Sequence, residues 1–161
     1  MKKIIIAAVM LLISITSFAQ SGEALYRKYS DEPGVSGVYI SPAMFRMIGR
    51  LPAMNINNDD VDITPIIRSL SGFYLINSEN PDVNEALRAE MRKVRGSNKY
   101  ELLMEAKDDG DKMSIYTANK GDLITSLLFL AEEISECTFI VLDGSIYQED
   151  LDRLLSKALN D

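Results

Sequence analysis

Residues 100–143 read YELLMEAKDDGDKMSIYTANKGDLITSLLFLAEEISECTFIVLD, four apolar segments with turn residues between them. Tyr100, Leu102, Met104 and Ala106 alternate with Glu101, Leu103, Glu105 and Lys107, a period of two that predicts a strand with one face against a core. Asp108-Asp109-Gly110-Asp111 follows, and Asp-Gly supplies the positive φ angles of a type I′ hairpin turn. The return segment from Lys112 sets Met113 and Ile115 on one face and Ser114 and Tyr116 on the other, then stops at Asn119-Lys120-Gly121. From Leu123 to Ala131 both alternating sets are apolar, as they are from Thr138 to Leu142, which fits strands covered on both faces. A buried helix is the alternative for residues 123–132. The turn at Gly121 and the polar break from Glu132 to Glu136 favour a strand, and so an antiparallel meander.

Working outward, Asn80 can cap a helix with Pro81 at its first position. Val83, Leu87, Met91 and Val94 form its apolar stripe, and Arg92, Lys93 and Arg95 suit its negative end before Gly96. Strand-like pieces run over Val35 to Ile40 and Gly72 to Asn77, and share the pattern Ser-Gly-x-Tyr at Ser36 to Tyr39 and Ser71 to Tyr74. Shorter helices are expected at Glu23 to Tyr29, after the Ser41-Pro42 entrance with Met44, Phe45, Ile48 and Leu51 facing inward, and at Ile63 to Leu70. A closing helix with Leu151, Leu154, Leu155 and Ala158 in one stripe is expected after a turn, with Ser145 and Gln148 as its capping box. The predicted fold class is α+β: an antiparallel sheet built on the C-terminal four-strand meander, with amphipathic helices packed on it.

At the amino terminus Lys2 and Lys3 precede an apolar run from Ile4 to Ile15, and Ser17 and Ala19 are small residues ahead of Gln20. That is the pattern of a signal peptide over residues 1–19, too short in its apolar stretch for a spanning helix, and it predicts a periplasmic or secreted domain over residues 20–161. The full chain carries a net charge of −7; cleavage would remove two lysines and leave 15 bases against 24 acids, a net −9. Like charge disfavours nucleic acid and anionic membrane surfaces as partners. The one cysteine, Cys137, has no mate for a disulfide and sits where a strand is expected to bury it.

Histidine is absent, which removes the commonest general base, metal ligand and nucleophile activator together. Ser145 lacks the glycine two positions on that a nucleophile elbow needs, and no glycine-rich phosphate loop is present. Asn55, Asn57 and Asp59 alternate like calcium ligands, but Asp60 and Ile66 stand where an EF-hand needs Gly and Glu. The expectation is therefore a protein without catalytic residues, metal or cofactor. If helices cover only one face of the meander, Leu103 and Tyr116 are expected on the other, as a patch for an envelope protein or a second copy of the chain.

Two stretches carry a family resemblance. Gly34-Val35-Ser36-Gly37-Val38-Tyr39-Ile40-Ser41-Pro42-Ala43-Met44-Phe45, and Phe139-Ile140-Val141-Leu142-Asp143-Gly144 followed by Ile146 and Glu149-Asp150-Leu151, resemble the two ends of the DUF4252 family, a domain of unknown function. The resemblance implies a short exported protein of Gram-negative gut-type bacteria, often encoded near extracytoplasmic-function sigma factors, and it brings no active site. The functional expectation is a non-catalytic binding or regulatory module of the cell envelope. A small-ligand carrier and a carboxylate-dependent hydrolase are the alternatives.

Overall fold

The computed structural model describes residues 22–50, 64–150, 152 and 153. Helix α1 (Gly22–Tyr29) leads into β1 (Val35–Ile40), followed by α2 (Pro42–Ile48), α3 (Thr64–Ser69), β2 (Leu70–Ser78) and α4 (Pro81–Arg95). The meander is then β3 (Tyr100–Asp108), β4 (Asp111–Lys120), β5 (Leu123–Glu132) and β6 (Cys137–Tyr147). All six strands form one antiparallel sheet in the order β1-β2-β6-β5-β4-β3. The fold is α+β, and the meander is four strands as the turns predict.

Local chemistry explains the joints. Asp109 and Gly110 take φ of 42° and 98°, the two left-handed residues that let β4 fold back on β3 with the twist of the strands. Asn80 accepts at its side-chain oxygen from the backbone N–H of Asp82 (3.0 Å) and Val83 (3.4 Å), starting α4, and its amide donates to the Pro33 carbonyl at 2.9 Å. That last bond ties the entrance of β1 to the entrance of α4. Along α4, Val83, Leu87, Met91 and Val94 are buried, pressing one stripe onto the sheet.

The core lies between the sheet and α1 and α4. It contains Tyr74 and Ile76 of β2, Phe139 and Val141 of β6, Leu128 and Leu130 of β5, and Tyr116 of β4, with Leu25 and Tyr29 from α1. Helix α1 comes close: a Cβ on Gly22 would stand 2.7 Å from Val141 Cβ and 2.9 Å from Tyr74 Cδ2. Helices α2 and α3 are joined by Arg68, whose Nε donates to the Gly49 carbonyl at 2.7 Å. Of α2 only Phe45 is buried, and Met44, expected inward, is 48% exposed.

Four expectations need correction. The alternation of β3 breaks at a register shift between Leu102 and Met104, so Leu102 stands opposite Tyr116 and Met104 opposite Ile115, on different faces. As a sheet edge, β3 is exposed from Glu101 to Asp108, and its contact with the core is made by half-buried Tyr100 at its start. Strands β5 and β6 are central, yet along the middle of the sheet they fully bury only one face; Leu127, Phe129, Ile140 and Leu142 on the other are partly exposed. No turn follows Asp143 either: β6 continues to Tyr147, so Ser145 is a strand residue, and helix resumes over residues 148–150. The expected stripe of Leu151, Leu154, Leu155 and Ala158, the Asn55 to Asp62 segment and the signal peptide lie outside the described residues.

Candidate functional site

Residues opposite each other in an antiparallel ladder share a face, so the registers can be followed across the sheet. Val38 pairs with Leu75, Leu75 with Ile140, Ile140 with Phe129, Phe129 with Ile115 and Ile115 with Met104. These six side chains make one apolar row across all six strands, about 24 Å from end to end at the usual strand spacing. The row lies on the face turned away from α4. Its four central members are only partly exposed, and Val38 and Met104 at its ends are 47% and 45% exposed. A flanking row runs Ser36, Asn77, Thr138, Ala131, Met113, Ala106; the other runs Ile40, Phe73, Leu142, Leu127, Thr117, Glu101, with Thr117 buried. Between β1 and β4 these three rows contain no charged residue, in a chain whose charged residues make up a quarter of the sequence.

Of the two residues expected on this face, Tyr116 is placed elsewhere. Tyr116 is 2% exposed on the helix-covered face, where Arg95 Nε donates to its hydroxyl at 3.1 Å. The helices took the Ser114 and Tyr116 side of β4, leaving Met113 and Ile115 outward. Leu103 is 51% exposed but falls in the register shift of β3 and has no partner in the β4 ladder. The sequence signal for the true row is the apolar second set in β5 and β6, whose outward members are Leu127, Phe129, Ile140 and Leu142.

A second feature lies on the covered side at the β1 edge. Tyr39 stacks on Tyr74 with ring centroids 5.2 Å apart and planes 10° from parallel, and Tyr26 of α1 leans on both at 5.9 and 6.3 Å. With Glu23 and Arg27, an ion pair at 2.8 Å, these rings line an open cleft of about 230 Å³. Burial pushes the Tyr74 hydroxyl up to about 12. Burial also raises Asp143 above its ordinary carboxylate value, opposed by the Ser126 hydroxyl that donates to its Oδ1 at 2.8 Å. Among the described residues, that carboxyl is the one basic group hydrogen-bonded to the Ser126 hydroxyl. Cys137 is wholly buried and its thiol is pushed up to about 12, far from the thiolate range. Among the described residues no three His, Cys, Asp or Glu side chains converge as a metal site.

The model of the family described as Domain of unknown function (DUF4252) matches residues 29–154. The chain belongs to the DUF4252 family. In this DUF4252 chain the match takes in all six strands and every member of the apolar row. No curated protein matches the chain. Among solved structures, the putative lipoprotein LppA from Mycobacterium tuberculosis aligns over 94% of this chain and 93% of its own at 14% identity, with a TM-score of 0.31. A likeness of that degree carries no argument about the DUF4252 chain.

Proposed function

We propose that this DUF4252 chain is an exported, non-catalytic module of the bacterial cell envelope that works by associating with protein through the outward face of its sheet. The observation behind this reading is the unbroken row Val38–Leu75–Ile140–Phe129–Ile115–Met104. Soluble monomers seldom leave a contiguous apolar patch of more than a few hundred Å² to water, and larger ones mark interaction surfaces. The absence of charge across the middle of the face selects an apolar partner surface. The lack of histidine and the raised thiol of Cys137 support a role without catalysis. The resemblance to exported proteins encoded near sigma factors favours envelope sensing as the setting.

A photo-cross-linking residue at Ile115, compared in living cells with one at Lys120 outside the row, tests the reading. A discrete protein adduct from Ile115 and none from Lys120 is the expected result. No adduct from either position would sink the reading. A ligand-carrier reading rests on the tyrosine cleft, and thermal stabilisation by a small aromatic or sugar ligand, lost in Tyr39→Ala, would favour it instead.

A further inference from the structure

We infer that the occupant of the outward face is a second copy of this chain, so that two sheets pack face to face as a sandwich about a two-fold axis; this rests on the reading of that face as a protein-binding surface. Three observations carry the step. The first is charge. The chain is net −7, so two copies repel over most of their surface, but the apolar row lets them meet without bringing like charges together.

Extent is the second. Three rows over six strands give a footprint on the order of 600 Å² per copy, or roughly 1,200 Å² buried in total, within the lower range of specific interfaces. Sheets stacked this way sit about 10 Å apart with strands crossing at about 30°, a spacing that interdigitated Ile, Leu and Phe side chains fill.

Shape along the row is the third. A two-fold axis running along the strands, between Ile140 and Phe129, lays Ile140 on the partner's Phe129, Leu75 on the partner's Ile115 and Val38 on the partner's Met104. Ile140 then meets the larger Phe129 and Val38 the longer Met104, while Leu75 and Ile115 match in size. An axis turned to run along the row would instead stack Phe129 on the partner's Phe129 and leave the thin Val38 end opposite itself, with a gap where packing contacts would be lost.

The arrangement predicts a coupling between the two ends of the row. Val38→Lys and Met104→Glu each place a charge at a position already near half exposed, which a monomer tolerates, but against an apolar partner in the dimer. The full chain, purified as its host processes it, is expected to sediment at twice the chain mass at micromolar concentration. Each single substitution should weaken dimerisation by about tenfold or more, a loss typical of an unpaired charge at an interface. In the double variant the opposite charges face each other across the axis, and most of the loss should return. A wild-type chain that stays monomeric overturns the inference, and so does a double variant at least as weak as the two losses combined.

Should either substitution lower the thermal midpoint, the cross-link at Ile115 supplies the answer without it. In cells holding two differently tagged copies, an adduct joining the tags supports the second copy. An adduct only with a different protein overturns it while leaving the binding-module reading in place, and no protein adduct overturns both.

Discussion

Tyr39 and Tyr74 face each other across the β1–β2 ladder, and each is the tyrosine of a Ser-Gly-x-Tyr stretch. The recurring pattern in the sequence is therefore brought together as a cross-strand pair, its rings stacked 5.2 Å apart. The pair is unequal, since Tyr74 is 6% exposed beneath α1 and Tyr39 is 42% exposed at the edge. Replacing each by Ala should separate the two roles. Tyr74→Ala is expected to cost about 3–5 kcal/mol in urea unfolding, as for large core aromatics, and Tyr39→Ala about 1 kcal/mol. Equal losses would mean that the edge ring is as much core as the buried one.

Gly22 makes the approach of α1 possible. Gly22→Ala drives a methyl to within 2.7 Å of Val141 Cβ, and overpacking of this kind typically costs about 1–3 kcal/mol. Val141→Gly removes that Cβ and the Cγ1 that would stand at 2.8 Å, and so opens room at the same spot. The double variant should therefore lose clearly less stability than the two single losses combined. Strict additivity in the denaturant midpoints would contradict the contact.

Asp143 gives the fold a pH dependence of definite sign. Because burial raises its pKa, the folded chain holds this proton to higher pH than the unfolded chain does. Stability is therefore lost as pH rises from the unfolded aspartate value, about 3.9, through the raised folded one. Asp143→Asn keeps an oxygen for the Ser126 hydroxyl and removes the titration. Relative to the wild type, that variant should gain stability as pH climbs through the window and hold the gain at neutrality. An unchanged difference between the two proteins across that range would contradict the assignment.

Cys137 tests burial by chemistry. With its side chain fully enclosed and its thiol pushed up to about 12, it should resist a thiol reagent at neutral pH in the native protein and react fully in denaturant. Prompt labelling of the folded chain would show an opening at the start of β6.

The hairpin at Asp109-Gly110, the cap at Asn80 and the stripe of α4 were legible in the sequence because each depends on chemistry within a few residues. The side taken by the helices was not. Period two says that Met113 and Ile115 share a face and that Ser114 and Tyr116 share the other, and nothing local says which face is covered. That choice is made by α1 and α4 docking across strands distant in sequence, and it carried Tyr116 into the core beside Arg95. The bulge in β3 was equally hidden, because Tyr100, Leu102, Met104 and Ala106 alternate as cleanly as a regular strand does. At an open edge such a bulge has a use of its own: it interrupts the regular ladder that another chain would need in order to extend the sheet. The raised carboxyl of Asp143 left no trace in the sequence either, since an Asp after an apolar run reads as the start of a turn.

Leu128 and Phe129 are neighbours in β5 that meet opposite fates, and they test the asymmetry of the sheet directly. Leu128 is 4% exposed on the helix side, whereas Phe129 lies at the middle of the outward row. Leu128→Ala opens a cavity in the helix-covered core and is expected to cost about 2–5 kcal/mol. At dilutions where the chain is monomeric, Phe129→Ser removes a ring that water partly reaches, and should cost less than that. The order is the reverse of what ring size alone would give. If Phe129→Ser were the costlier change in dilute protein, the outward face would be part of the monomer's own core, and the row would be closed to any partner. If the gap between the two losses narrows as concentration rises, Phe129 gains its burial from association, as a sheet built to meet another surface requires.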